Sequence, residues 1–574
     1  MCVATGSWMV DALLVVLPLA YWYRRRNFFF WEKLGVPYLK PTSFLGNMSG
    51  LAIGEQHAGD PIYDCYLEAA DAPFMGMFAF GNPLLMVKDP KLLSCVLATD
   101  FPVFNSRNFA VGSDSLLTKS VLSVNGDRHC VARGSDQPIV RQATTLWDAK
   151  FTELWLQQQL KLQPQHIQEQ HVQSQYDIPR KHKRDMKWET LRTKVAPVFT
   201  PGKIKAMFPL MEGVGQDLVQ HLTAEVEKGE AIDVWQLMAR YTAHVLCAIV
   251  LGADAGSMSE AKSPMREHVM SLTRKDVLAQ LSLAISLLAP QLFKLFPLTF
   301  TSEREETLLY FSTVQMMNER RQKGIVRADM VDTLMQLRTS ANKKQSKSGA
   351  DRKSSAGTNH MEMDDETIVG NIVAFLIGGL DTPVSTMTYA LYQLAINQQI
   401  QDRVRLDIRE AIFRHGGEFT YQALGAMNQL DYVIDETMRL YPPMNFLDRK
   451  TTQPFRIPGT DIVLPKDTGI VVSVLGLHHD PRYWEHPERF LPGRFSGEGG
   501  KARPSHTFLP FGDGPRQCPG LRMAHTQMKI ALANVLINFR VSVTEKTPVP
   551  QAANRRKLIR KSEGSFELAF EMIS

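Results

Sequence analysis

Phe511-Gly512-Asp513-Gly514-Pro515-Arg516-Gln517-Cys518-Pro519-Gly520 is a glycine- and proline-rich loop that presents one cysteine just ahead of a helical pattern. From Leu521 onward the apolar residues Leu521, Ala524, Met528, Ala531, Val535 and Phe539 recur on one helical face. Pro519 suits the first helical turn because it has no N–H to leave unpaired. Cys518 is therefore expected at a helix N-terminus, where free backbone N–H groups and the positive end of the helix dipole favour thiolate over thiol. Gly512, Gly514 and Gly520 let backbone approach a flat partner closely. Three readings of the loop stand side by side. The plainest is a capped helix with a buried cysteine, since free cysteine usually behaves as a small hydrophobe. A nucleophilic cysteine would need a histidine base; His525 lies beyond the next turn and His506 upstream, and neither sits in a catalytic signature. The third is a metal ligand.

A second informative stretch spans Asp365 to Asn397, a long helix whose apolar run Ile368 to Leu380 is too short to cross a membrane and reads as buried. At its centre lies Gly378-Gly379-Leu380-Asp381-Thr382-Pro383. Each glycine costs a helix roughly 1 kcal/mol relative to alanine. Pro383 cannot donate to the carbonyl of Gly379, so a bulge or kink is expected there, with a polar groove beside it. Without other context this is a kinked core helix. A third stretch, Glu436-Thr437-Met438-Arg439, puts an acid and a base on one helix face, which alone is an ordinary surface pair worth a few tenths of a kcal/mol. Leu440-Tyr441-Pro442-Pro443 follows at once, and Arg494 precedes Cys518 by 24 residues.

Taken together these stretches resemble the cytochromes P-450. Phe511, Gly514, Arg516, Cys518 and Gly520 match the haem-binding loop of that family, Phe-x-x-Gly-x-Arg-x-Cys-x-Gly. The resemblance implies that Cys518 is the axial thiolate ligand of the iron of haem b (iron protoporphyrin IX), pushing electron density toward O–O cleavage. The segment from Gly378 to Thr382 is similar to the family's oxygen-activation segment. It implies that Thr382 hydrogen-bonds the dioxygen and that Asp381, with ordered water, supplies protons. Pro383 departs from the usual Thr or Ser. By the same resemblance Glu436 and Arg439 join a second arginine in a buried network beside the haem loop. The literal Pro487-Glu488-Arg489-Phe490 reads as a decoy, and by register the partner is Arg494 in Pro492-Gly493-Arg494-Phe495. Trp188, Arg192, Arg449 and Arg516 are implied to hold the haem carboxylates, Arg192 through a charge-assisted hydrogen bond; core packing is the plain reading of Trp188. Phe101 to Leu122, with Phe104, Arg107 and Phe109, corresponds by order to a substrate-contacting loop. Met444 to Leu447 and Ser562 to Phe566 correspond to further substrate-facing turns. Val277 to Leu298 corresponds to the family's cavity roof or, on pattern alone, a buried helix pair; Pro290 and Pro297 argue against a membrane span.

The 574 residues exceed the usual size of a single core. The resemblance instead implies one large, mainly α unit with small β-sheets, the cytochrome P-450 fold with an N-terminal membrane anchor helix. A net charge of +6 is small for this length and, without zinc-finger spacing or a phosphate loop, gives no reason to invoke nucleic acid. Six scattered cysteines read as a reducing compartment. Trp8 to Tyr23 is apolar apart from Asp11 and is closed by Arg24-Arg25-Arg26. The arginines follow the apolar run instead of preceding it, so an uncleaved anchor over residues 1–26 is the better reading than a signal peptide. The positive-inside rule then puts the body on the cytosolic side, with the endoplasmic reticulum membrane as the expected location. Residues 27–47, with Gly35-Val36-Pro37, look like the family's proline-containing hinge, and the monooxygenase domain would be 48–574. Residues 128–187 interrupt it: rich in glutamine, ending in Arg180-Lys181-His182-Lys183-Arg184, and expected to be a disordered or solvated insertion, real or translated from an intron. Ser340 to Asn359 reads as a polar linker.

The wording of Phe446-Leu447-Asp448-Arg449-Lys450 and Val474-Leu475-Gly476-Leu477-His478 is most similar to insect microsomal branches of the family. The implied activity is a haem-thiolate monooxygenase that takes electrons from NADPH through a reductase, with cytochrome b5 as a second donor. It splits O2 and inserts one oxygen atom into an apolar organic substrate, a xenobiotic or an endogenous lipid or hormone, at a membrane lipid surface. A haem-binding or apolar-ligand-binding protein without turnover stands as the alternative.

Overall fold

The computed structural model describes residues 27–123, 188–347, 363–497, 503–549 and 566–573, apart from 44, 53, 54, 58, 112–114, 257, 261, 262, 274–276 and 294–298. The expected anchor (1–26), the glutamine-rich segment (128–187), the linker beyond Lys347 and residues 562–565 lie outside the described residues. The principal helices are α1 (Trp188–Val195), α2 (Pro201–Val226), α3 (Val234–Leu246), α4 (Glu303–Lys323), α5 (Asp365–Ile396), α6 (Gln398–Arg414), α7 (Asn428–Leu440) and α8 (Leu521–Asn538). Strands are β1 (Phe74–Ala79), β2 (Asn82–Val87), β3 (Ile232–Asp233), β4 (Phe446–Lys450), β5 (Phe455–Arg456), β6 (Val463–Leu464), β7 (Gly469–Ser473), β8 (Phe539–Val543) and β9 (Glu567–Met572). The architecture is mainly helical with small sheets, as the resemblance implies.

Helix α5 is the axis of the larger core. Asp364 caps it by accepting the N–H of Thr367 at 2.8 Å, and apolar residues run around its whole circumference, which only a buried helix tolerates. Ile368, Ile372, Val384, Met387 and Leu391 are all fully buried. Among the described residues two helical stretches, Val234–Leu251 and Asp365–Ile396, are long and apolar enough to cross a membrane, but most of each is covered by protein. Helix α8 packs into the same core through Ile530, Leu532 and Val535.

The smaller core lies under a four-stranded sheet ordered β1-β2-β7-β4, in which β1 and β2 form a hairpin and β2 pairs in parallel with β7. Phe80 and Gly81 turn that hairpin with positive φ of 50° and 80°, the twist that suits a two-residue connection. A second sheet, β3-β9-β8, closes the far end of the chain onto α3 and α8. The 27–47 segment is not a free tether. Trp31 is fully buried, its indole N–H donates to the Met77 carbonyl at 3.0 Å, and a Cβ on Gly76 would lie 2.5 Å from its ring. Helix Met330–Lys347 also continues into the start of the stretch read as a linker. Phe566, expected to face substrate, is instead core: it is buried and packs edge-on against Tyr389 and Tyr392.

Candidate functional site

The Cys518 loop is closed on itself by backbone bonds. The Cys518 N–H donates to the Phe511 carbonyl and the Gln517 N–H to the Gly514 carbonyl, both at 2.9 Å. Gly512 and Gly514 both take φ of 70°, a conformation that favours glycine. Gly514 has a second constraint, since a Cβ there would stand 1.8 Å from the Leu97 carbonyl oxygen. Gly514→Ala should therefore unseat the loop: about 1–3 kcal/mol of backbone strain adds to a clash with main chain that cannot rotate away. A large drop in haem content per purified protein, with Gly493→Ala (open space around its Cβ) nearly unaffected, is the expected result.

Helix α8 begins at Leu521 with Gly520 at its cap, so Pro519 stands just before the helix and not in its first turn. The helix terminus does not by itself make Cys518 a thiolate. Burial raises its thiol above the ordinary value, while the Gly520 N–H, the guanidinium groups of Arg192 and Arg107 and the Leu521 N–H pull it partway back. Desolvation of a charge outweighs a few dipoles when no counter-ion is fixed against the sulfur.

Cys518 is nevertheless exposed. Protein surrounds its side chain closely enough for burial to dominate its titration, and water still reaches it. The opposite helix shows the same signature. Along α5 nearly every residue from Thr367 to Ala395 is buried, but Gly378 is exposed and Ile377, Gly379, Asp381 and Thr382 are half-buried. A Cβ on Gly378 would meet nothing within 4 Å. Aromatic contacts join the two walls: a Cβ on Gly520 would lie 4.0 Å from the Cys518 Sγ and 3.6 Å from the Phe199 ring, and Phe199 packs edge-on to Phe375 at 5.0 Å. Phe375 is one helical turn before Gly379. Thr382 donates its hydroxyl to the Gly378 carbonyl at 2.8 Å. Pro383 lies inside α5, which is helical from Asp365 to Ile396.

Beside the loop, cations gather. Arg516 lies 4.0 Å over the Trp188 ring and donates from Nε and Nη2 to the Asn105 carbonyl at 2.9 and 2.7 Å. Arg449 is buried; Nη1 reaches the Asp448 carbonyl at 2.7 Å, while Nε and Nη2 have no acceptor among the described residues. The Asp448 carboxylate instead accepts the Asn108 N–H at 2.7 Å. Burial, then the neighbouring cations Arg107 and Arg449, lowers the Arg516 guanidinium far below its usual value. Burial and Arg107 lower Arg449 likewise. Arginine keeps its proton in proteins, so an anion bound here would relieve this stress. Arg192 donates to the Gln517 carbonyl at 2.8 Å, and burial lowers it while the Cys518 charge raises it. Trp188 departs from its implied role: its indole N–H is spent on the Val121 carbonyl at 3.2 Å, so what it offers the cluster is a ring for Arg516. Arg107 is the cation that sequence order alone left among substrate contacts; no motif ties it to a cysteine 411 positions later. Arg449→Ala should remove two idle donors at little cost to the apoprotein and weaken haem retention by about 10–100-fold, as changes around a bound metal group do; haem transfer to apomyoglobin measures it.

Glu436 and Arg439 are both fully buried. Arg439 grips the carboxylate with Nε and Nη2 at 2.8 and 2.9 Å and donates to the carbonyls of His478, Pro487 and Arg489 at 2.9, 2.8 and 3.0 Å. Arg494 supplies the second cation, Nε to Glu436 Oε1 at 3.1 Å. Arg489 contributes only its main chain.

A family model described as "Cytochrome P450" matches residues 140–568 of this chain. Among curated proteins it is similar to cytochrome P450 6k1 of Blattella germanica, 29% identical over 99% of this chain and 98% of the relative. Cytochrome P450 6j1 of the same species is 28% identical over 94% and 93%, and the probable cytochrome P450 6g2 of Drosophila melanogaster is 27% identical over 96% of each.

Proposed function

Because the chain belongs to the cytochrome P450 family and is thus a haem-dependent monooxygenase, we propose that its haem lies in the hollow between Cys518 and the open turn of α5. The observation that carries this reading is the pair of facts about Cys518, enclosed and yet accessible, beside the exposed Gly378 and half-buried Thr382 of an otherwise buried α5. The idle donors of Arg449 fit the two carboxylates of haem b. Cys518 supplies the sulfur ligand; Arg516, Arg449, Arg192 and Arg107 neutralise the carboxylates, and Trp188 holds the Arg516 fork flat. When bound, the haem supplies the chemistry that activates and splits dioxygen.

The chain's own residues then have separate tasks. Burial of Phe375, Phe199 and Leu380 around the hollow excludes water. Gly378, lacking a side chain, leaves room above the helix for substrate. Thr382 Oγ1 is the group that passes a proton: now donating to Gly378, it is free to turn and donate into the hollow, and Asp381, half-buried one residue earlier, re-supplies it. Thr382→Ala should cut product formation by a factor on the order of 10² while NADPH oxidation continues as uncoupled peroxide release. An unchanged ratio of product to NADPH would remove Thr382 from this role.

The substrate is an apolar organic molecule, supported by the aromatic lining from Phe199 and Phe375. Electrons come from NADPH through a reductase, with cytochrome b5 as a second donor, docking on the Cys518 side. Residues 1–26 anchor the protein in the endoplasmic reticulum membrane with the body cytosolic, and residues 128–187 are an insertion; a spliced transcript lacking codons 128–187 would show that segment to be intronic. Family membership does not favour a binder without turnover. The reduced, CO-bound spectrum tests thiolate ligation, and product formation with reductase and NADPH tests turnover. A spectrum without the thiolate band would overturn the assignment of Cys518.

A further inference from the structure

His525 has no task in the haem reading. Its surroundings are specific. Asp431 and Asp435 are one turn apart on α7, and His525 and Lys529 are one turn apart on α8, so the two helices bring four ionisable side chains face to face. His525 Nδ1 lies 4.0 Å from Asp431 Oδ1 and Nε2 lies 4.0 Å from Asp435 Oδ1. Lys529 Nζ bonds Asp431 Oδ2 at 2.8 Å. The His525 ring also packs on Phe511, centroids 5.4 Å apart, and Phe511 is the residue whose carbonyl receives the Cys518 N–H. A single residue therefore separates the titratable cluster from the sulfur.

We propose that His525 is a positioning residue: held between Asp431 and Asp435, it fixes the Phe511 ring against the Cys518 loop and makes electron uptake on that side depend on protonation of the cluster. The inference rests on Cys518 being the iron ligand. One electron, lost by the reductase, would be gained by the haem iron that Cys518 would hold, and one proton, taken from water, would settle on the carboxylate–imidazole cluster, leaving hydroxide to the buffer.

The groups that face this cluster are few. On α7 they are Asp431 and Asp435, with Glu436 and Arg439 neutralising each other; on α8, His525 and Lys529. Arg503 acts from the preceding loop, and Asp407 from α6 is within electrostatic reach of Lys529. Burial, and next the like charge of Asp431, pushes the Asp435 carboxyl up to about 7, against the pull of Lys529 and Arg503. Burial lowers His525, with Asp431 opposing. The cluster therefore gains or loses a proton near neutrality. Added negative charge beside Cys518 favours the protonated form, so the midpoint potential should fall as pH rises through the cluster's titration and level off on either side.

The test is a spectroelectrochemical titration of the full-length holoenzyme between pH 5.5 and 9. Wild type is expected to show a sloping region near neutral pH approaching 59 mV per tenfold change in proton concentration. Asp435→Asn and His525→Leu should flatten it, and Asp435→Glu should restore it, while the thiolate CO band persists in all. If Asp435→Asn yields no holoprotein, His525→Gln, close in size and uncharged, carries the same prediction. A flat wild-type profile, or a slope that survives both replacements, overturns the inference alone. Wild type lacking the thiolate band would overturn the iron-ligand reading and the inference with it.

Discussion

Arg439→Ala should leave almost no haem-loaded protein. The pair it breaks has zero exposure on either side, so the few tenths of a kcal/mol that an exposed Glu–Arg pair contributes is the wrong scale. Removing one member of a buried ion pair costs about 3–5 kcal/mol, because the other charge stays desolvated. Here the loss also strands the carbonyls of His478, Pro487 and Arg489, which Arg439 serves together. Arg494 and the Leu491 N–H would still reach Glu436, but from one side of the carboxylate. Against a total stability of about 5–15 kcal/mol, the segment from His478 to Arg494 would come loose, and with it Leu509, whose N–H is held by His478 Nε2 at 2.8 Å two residues before the haem loop. Arg439→Lys should fail too, since an ammonium cannot place a fork on one carboxylate and still reach three carbonyls. The measurement is haem content per milligram of purified protein; a value equal to wild type would contradict the argument.

Cys518→Ser should fold, take up less haem and make no detectable product. The change swaps one atom at a site where the backbone geometry is set by Gly512, Gly514 and the Phe511 and Gln517 bonds, none of which involves the sulfur. What is lost is an anionic donor, because a serine hydroxyl does not ionise where even a thiol is raised by burial. The effect should exceed the 10–100-fold in affinity that changes outside the ligand sphere produce, and the reduced CO spectrum should lose its thiolate band. The same titration argument gives a pH dependence for wild type. The ligand is the thiolate, the thiol in the protein without haem has a raised pKa, and so haem uptake should release a proton and strengthen as pH rises toward that pKa. Serine at 518 should abolish this dependence, and retention of it would mean that another group is the ligand.

The motif positions were legible because each is fixed by local chemistry. Only glycine fits at Gly514, and only proline and glycine run would set a cysteine at the head of α8. The Glu436–Arg439 spacing is a property of one helix. Choosing Arg494 over Arg489 also needed no coordinates, since the register implied by the family resemblance decides it. Other features depended on segments that meet only after folding. Arg107 joins Arg449 and Arg516 from far along the chain, and Trp188 turns its N–H to Val121 because that carbonyl is the one available in the packed core.

Through its resemblance to a known family the sequence carried the fold class, the sulfur ligand and the Glu436–Arg439 pair, because motif residues act over a few neighbouring positions and can be matched without coordinates. Tertiary structure alone decided that Cys518 is both enclosed and accessible, that Arg107, Arg449 and Arg516 share one patch, and that His525 sits between two carboxylates against Phe511. Those are statements about burial and distance between remote segments, and desolvation, which sets the charge state of every one of these groups, does not exist until the chain has closed around them.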